Sequence, residues 1–213
     1  MGRVKVAGFG VSLDGYGAGA EQSLDNPLGK RGHDMMGWFT QTRFFKTMIG
    51  ASGGSEGIDN DLGMRSMQGF GAFILGRNMF AHSRGPWIDD GWKGWWGDNP
   101  PYHAPTFILT HYPRESIVME GGTTFHFVTD GIEAALERAC EAAGDLDVKI
   151  GGGVSTVRQY LEAGLVDEVH FAISRVLLGN GEAVFEDLDL PALGYRMTGS
   201  VPTEHATHIM LSR

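Results

Sequence analysis

Three consecutive glycines, Gly151-Gly152-Gly153, stand between a short apolar run and an amphipathic stretch, and this junction limits what the chain can fold into. Asp147-Val148-Lys149-Ile150 reads as a strand, and Ser155 to Ala163 reads as a helix ended by Gly164. A turn with no Cβ lets backbone N–H groups come within hydrogen-bonding range of a phosphate, and the positive end of the following helix favours the anion. Gly151, Gly152, Gly153, Val154, Ser155 and Thr156 are therefore candidate phosphate-binding residues, set against the plainer reading of a tight turn with no ligand. The junction is not a Walker loop, since no Gly-Lys-Ser/Thr follows, and it lacks the Gly-x-Gly-x-x-Gly spacing of a Rossmann fingerprint.

The rest of the chain alternates in the same way. Val4 to Phe9, Ala72 to Leu75, Thr106 to Thr110 and Thr124 to Thr129 read as buried strands. Ile132, Ala135, Leu136, Ala139, Cys140 and Ala143 recur at helical spacing, with Asp130 and Glu133 placed to cap the helix and Gly144 to stop it. His33 to Met48 is expected to form a helix, and residues 17–32 and 51–57 to form loops. Val169, Phe171 and Ile173 alternate with Glu168, His170 and Ala172 as a strand with unlike faces, and a last strand runs from His205 to Leu211. Such alternation predicts one α/β domain over residues 1–213, with a mainly parallel sheet covered by helices on both faces.

Charge excludes one class of partner. Seventeen basic against 26 acidic residues give a formal charge of −9, and no basic stripe offers itself to nucleic-acid phosphates. The single cysteine, Cys140, has no internal partner, so a reducing compartment fits best. Met1 to Val11 is too short and glycine-rich for a signal peptide, and no run approaches the ~20 apolar residues of a membrane span. The expectation is a soluble, cytoplasmic protein without membrane contact. No metal is expected, since His205 and His208 lie three apart on a strand and face opposite ways, and no Gly-x-Ser-x-Gly elbow marks a hydrolase.

Two further strand ends carry candidate ligands. Gly76-Arg77-Asn78 follows an apolar strand, where open α/β sheets present their ligands, and a guanidinium there suits a phosphate through its paired N–H groups. Thr110-His111 ends a neighbouring strand and offers a hydroxyl and an imidazole to the same anion. Asp14, in Ser12-Leu13-Asp14-Gly15, and Asp34, near a helix start, are candidate proton donors, each also explicable as a turn or helix-end carboxylate. The segment Gly85 to Pro105 holds Trp87, Trp92, Trp95 and Trp96, which must pack on the domain as a wall over a flat ligand, a sheet-edge cover or a dimer seam.

In that order, these pieces resemble the dihydrofolate-reductase superfamily, and within it the reductase domain of the bifunctional riboflavin-pathway deaminase–reductase. The resemblance is carried by Ser12-Leu13-Asp14-Gly15, Gly76-Arg77-Asn78, Phe127-Val128-Thr129-Asp130-Gly131, Gly151-Gly152-Gly153, Gly164-Leu165-Val166-Asp167-Glu168 and Leu177-Leu178-Gly179-Asn180-Gly181. It implies NADPH as cofactor, with Arg77, Thr110 and His111 at the 2′-phosphate and Gly151 to Thr156 at the pyrophosphate. Ala7 and the loop Ser12 to Gly15 would flank the nicotinamide. It also implies a homodimer and reduction of a pyrimidine- or pterin-type substrate, first 5-amino-6-(5-phosphoribosylamino)uracil. Alternatives are dihydrofolate as acceptor and a dimeric nucleotide-binding module without catalysis. The sequence departs from the family at Tyr16, where a basic residue is usual, and at Ile150, often a glutamate, and it carries no Pro-Cys-x-x-Cys or His-x-Glu deaminase motif.

Overall fold

The computed structural model describes residues 2–81, 83–88 and 91–213. Among these residues eleven strands run in chain order: β1 (Val4–Val11), β2 (Tyr16–Gly19), β3 (Phe70–Gly76), β4 (Pro105–Leu109), β5 (Ile117–Val118), β6 (Thr124–Val128), β7 (Asp147–Gly152), β8 (Glu168–Ser174), β9 (Gly181–Ala183), β10 (Arg196–Pro202) and β11 (Ala206–Ser212). Seven helices accompany them: α1 (Gly32–Met35), α2 (Gly37–Thr40), α3 (Arg43–Met48), α4 (Ile58–Arg65), α5 (Arg77–Phe80), α6 (Ile132–Ala143) and α7 (Val154–Glu162). Nine strands form one sheet in the order β10-β11-β8-β1-β7-β3-β4-β6-β5, and β2 pairs with β9 apart from it. No helix among the described residues is long and apolar enough to cross a membrane.

The sheet is mainly parallel, as expected, but mixed at its edges. Its centre, from β8 to β6, is parallel, while β10, β11 and β5 join antiparallel. The crossover helices α6 and α7 enforce the parallel part, whereas the chain after β8 returns by loops and closes one edge with a hairpin. The β10 strand was outside the sequence expectation because its residues are mostly exposed and carry no apolar alternation.

On one face α6 lays Ala135, Ala139 and Ala143 against β3 and β4. The fit is close: a Cβ on Gly71 would come 2.7 Å from the Ala143 Cα. Gly131, not Asp130, occupies the N-cap of α6, at φ 93° and with no side-chain bond. Asp130 instead accepts from Arg138 Nη2 at 2.7 Å. The expected helix His33 to Met48 is three short helices, interrupted at Met36 and at Gln41–Thr42. Thr42 starts α3 by accepting from the Phe45 N–H, which turns the chain and breaks the run. The expected loop 17–32 begins within β2.

On the opposite face α2 and α4 cover a buried polar chain. Asp59 Oδ1 contacts His208 Nε2 at 2.8 Å, and His208 Nδ1 contacts His170 Nε2 at 2.8 Å. Trp38 packs edge-on against both imidazoles. Beside them Lys149 Nζ donates to the Ser66 carbonyl at 2.6 Å. Burial, then the charges of His208 and Lys149, pushes His170 down to about 4, and burial pushes Lys149 down to about 7.

Both shifts set a pH dependence of the same sign. Between about 4 and the ordinary imidazole value of ~6.5 the unfolded chain binds a proton at His170 that the folded one refuses, so stability falls as pH drops through that window. Between about 7 and the ordinary value of 10.5 the same holds for Lys149, so stability rises with pH there. Urea unfolding of wild type and Lys149→Met should therefore diverge in favour of wild type from pH 7 to pH 10; a difference that does not change with pH would show Lys149 keeping its proton in the fold.

Candidate active site

A deep opening lies at the carboxyl ends of the parallel strands, where the topology of such sheets places ligands. It is a cleft of about 530 Å³. Its floor comes from β1, β3 and β7, and each contributes for a local reason. In β1 the register against β8 breaks between Val6 and Phe9, at Gly8 with φ 68°. That bulge presents Gly8, Phe9 and Gly10 together to the cleft. At the end of β3, Gly76 lies so near α7 that a Cβ would stand 2.3 Å from Thr156 Oγ1. At the end of β7, a Cβ on Gly151 would meet the Leu75 side chain at 2.5 Å, while one on Gly153 would meet nothing within 4 Å. Gly153 thus leaves open space above the first turn of α7. No side chain caps that helix, and its first N–H groups have no intrahelical acceptor.

The other end of the cleft is cationic and aromatic. Arg77 begins α5, and its Nη1 donates to Thr110 Oγ1 at 3.2 Å. The Arg77 guanidinium carbon sits 3.2 Å from the centre of the Trp87 ring, and Arg114 approaches the same ring at 4.9 Å. Arg77 Nε and Nη2 are buried with no hydrogen-bond partner. Burial, then the charge of Arg114, lowers the pKa of Arg77, yet a guanidinium remains protonated in such a setting. Two buried, unpaired donors cost about 1–3 kcal/mol each. Among the described residues no acidic group pairs with this guanidinium.

The structure brings together Gly76, Arg77, Asn78, Thr110, His111, Gly151, Gly153, Val154, Ser155 and Thr156 as lining of this one cleft. Gly152 lies beneath it, buried, with its α-carbon facing Phe9 and Met79. Ala7 sits on β1 below the bulge and is not part of the lining. Ser12, Asp14 and Gly15 surround a separate cavity with Phe185 and Glu186.

Both candidate acids are also elsewhere. Asp14 accepts from Ser12 Oγ at 2.6 Å and from the N–H groups of Gly179 at 2.7 Å and Leu178 at 3.1 Å. Desolvation opposes its ionisation, but these hydrogen bonds outweigh it and hold the carboxyl below its usual value. Asp14 thus ties the first loop to the loop after β8. Asp34 is exposed and faces Arg31 at 3.3 Å.

Sequence reasoning missed several lining residues, among them Met36, Gln159 and Glu182. No local pattern marks them, because each reaches the cleft through tertiary packing. The tryptophan segment divides its work: Trp87 and Trp92 pack on Phe80, Phe125 and Phe127, over β4 and β6, while Trp95 faces a second cavity beside the cleft. Asp89 and Asp90 of that segment lie outside the described residues.

A model of the RibD C-terminal domain family matches residues 6–209. No curated protein matches the sequence. Among solved structures, the chain is similar to a candidate riboflavin biosynthesis protein from Shewanella sp. PV-4, at 20% identity and TM-score 0.58, covering 100% of this chain and 99% of that one. It is similar to the diaminohydroxyphosphoribosylaminopyrimidine deaminase/5-amino-6-(5-phosphoribosylamino)uracil reductase of Thermotoga maritima, at 14% identity and TM-score 0.54, over 98% of this chain and 55% of that one. A pyrimidine reductase-like protein from Corynebacterium diphtheriae shares 11% identity at TM-score 0.52, over 99% and 91% of the two chains. At such identities the likeness is one of fold.

The close packing at the strand tips can be tested directly. Gly76→Ala should destabilise the protein by about 1–3 kcal/mol, the usual cost of overpacking, and Thr156→Ala in the same chain should recover much of that loss. Gly153→Ala, with open space around its Cβ, should cost about 0.5 kcal/mol or less. Denaturant midpoints for the four proteins decide it; equal losses for Gly76→Ala and Gly153→Ala would contradict the packing described.

Proposed function

Because the chain belongs to the RibD C-terminal domain family, we propose that it is an NADPH-dependent reductase of a planar nitrogen heterocycle. The observation that carries the reading is the pair of buried, unpaired donors on Arg77 at one end of a cleft whose middle is an uncapped helix N-terminus behind Gly153.

The residues present fit that cofactor. Thr110 and His111 flank Arg77, and the three form a site for the 2′-phosphate. A phosphate there would supply the acceptors that Nε and Nη2 lack. Gly151, Gly153 and the backbone N–H groups at Val154, Ser155 and Thr156 form a site for the pyrophosphate, where the helix end favours negative charge. Gly76 and Asn78 close the side next to β3. The nicotinamide end is served by Gly8, Phe9 and Gly10, with Gly17 across the cleft, in place of Ala7 and the Ser12 to Gly15 loop. Once bound, NADPH supplies a hydride from C4 of its nicotinamide; the chain supplies orientation and exclusion of water.

The acceptor to test first is 5-amino-6-(5-phosphoribosylamino)uracil, whose opened ribosyl imine would become a ribityl amine. Dihydrofolate is disfavoured by the exposed setting of Asp34, which leaves no carboxylate on the first helices facing the cleft. Following NADPH absorbance with purified protein and each acceptor should show oxidation with the pyrimidine. Tight NADPH binding without turnover on either would point instead to a nucleotide-binding module. Arg77→Ala should weaken NADPH binding by about 1.5–3 kcal/mol, the range for hydrogen bonds to charged groups, and leave NADH binding nearly unchanged. Equal losses for both cofactors would remove Arg77 from the 2′-phosphate site.

A further inference from the structure

The cofactor reading leaves the acceptor end of the cleft without its expected acid. Asp14 and Asp34 lie outside it, and Ile150, the position often held by glutamate in riboflavin-pathway reductases, is 1% exposed in the hydrophobic core. Among the described residues lining the cleft, Glu182 is the one carboxylate. It stands where the cleft opens into a second cavity of about 400 Å³, and Gln22, Asn78, Arg84 and Glu182 line both.

Glu182 is held in place from three directions. In the β2–β9 pair it lies opposite Ala18, and the strands approach so closely that a Cβ on Gly181 would stand 2.0 Å from the Ala18 carbonyl oxygen. Arg158 of α7 donates Nη1 to the Ala183 carbonyl at 3.2 Å, which ties β9 to the helix that frames the phosphate site. Gln22 Nε2 donates to Glu182 Oε1 at 2.9 Å. A neutral amide orients the carboxylate without neutralising it, and among the described residues no cation pairs with it and Oε2 accepts nothing. A partly buried carboxylate so placed gains most from a ligand that brings N–H donors, because bonds to an ionised acceptor are about twice as strong as neutral ones.

We infer that the second cavity is the acceptor pocket, in which Glu182, oriented by Gln22, accepts two N–H groups carried on neighbouring atoms of a planar nitrogen heterocycle. The inference rests on the cofactor reading above, since that reading puts the nicotinamide at the adjoining end of the cleft. It makes Glu182 the residue that touches the acceptor and Gln22 a positioning residue. The paired strands β2 and β9 then form the lip of the site of recognition.

The test uses protein loaded with NADP⁺ and the neutral probe 6-aminouracil, whose N1–H and 6-amino group lie side by side. Calorimetric titration should show binding by wild type and a loss of at least about tenfold in Glu182→Gln, with Glu182→Asp between them. Gln22→Ala should weaken the probe by a smaller factor, and adding it to Glu182→Gln should cost little more, because Gln22 acts through the carboxylate. NADP⁺ affinity, the control for folding, should change less than about twofold in every variant. Wild type and Glu182→Gln binding the probe equally would overturn the inference, as would additive losses for Gln22 in its positioning role. Wild type that binds NADP⁺ but not 6-aminouracil would overturn the acceptor pocket alone; wild type that does not bind NADP⁺ would overturn the cofactor reading beneath it.

Discussion

The site depends on how closely the first turn of α7 lies against the tips of β3 and β7. Glycine at 76 removes the Cβ that would hold helix and sheet apart, 2.3 Å from Thr156 Oγ1, and glycine at 151 removes one that would press on the Leu75 side chain of the neighbouring strand at 2.5 Å. With the gap closed, the backbone donors at the start of α7 open onto the same cleft as the side chains that end β3 and β4. Arg77 and Thr110, 33 residues apart in sequence, then meet within hydrogen-bond reach. Valine or alanine at Gly76 would press on the helix, and with it on the geometry that joins its first turn to the strand ends.

Electrostatics follow from that packing. The chain as a whole carries a formal charge of −9, yet Arg77 and Arg114 meet over Trp87 at one end of the cleft and an uncapped helix N-terminus opens into its middle. Trp87 makes the concentration tolerable: its ring faces the Arg77 guanidinium and gives it a cation–π partner where water is excluded. Stacking satisfies the flat face of the guanidinium and leaves its in-plane donors wanting acceptors. A phosphate is the common ligand whose oxygens match that fork. Trp87 itself is fixed by Nε1 donating to the Tyr112 carbonyl at 2.9 Å and by edge contacts with Phe80 and Phe127, so the tryptophan segment belongs to the site's framework as well as to the sheet cover.

What the sequence disclosed and what it hid divide along contact range. The 132–143 helix and the Gly-Gly-Gly junction were legible because neighbouring residues determine them: a 3.6-residue apolar spacing, a glycine stop, three residues without Cβ. Arg77 and Thr110 were legible because an apolar run ends just before each. The helix expected over 33–48 failed because Thr42 turns the chain, and Trp38, Phe39 and Phe45 pack on one another across that break instead of lining one helical face. Strand β2, with two glycines in four residues, has no propensity signal at all and exists only because β9 pairs with it. Asp14 looked chemical because it is conspicuous in a turn; its oxygens are taken by backbone N–H groups 164 and 165 residues away.

That same division separates the two halves of the cleft. The half proposed for the cofactor is assembled from strand tips and a helix start, each specified by a few adjacent residues. The other half is assembled by long-range pairing, with Gln22 reaching Glu182 across 160 positions and α7 bracing β9 through Arg158. Under the proposed reading, β7 offers the buried Ile150 and no acid, and the carboxylate comes instead from Glu182 on β9, so the acid and the strand-tip anion site are set by separate parts of the chain.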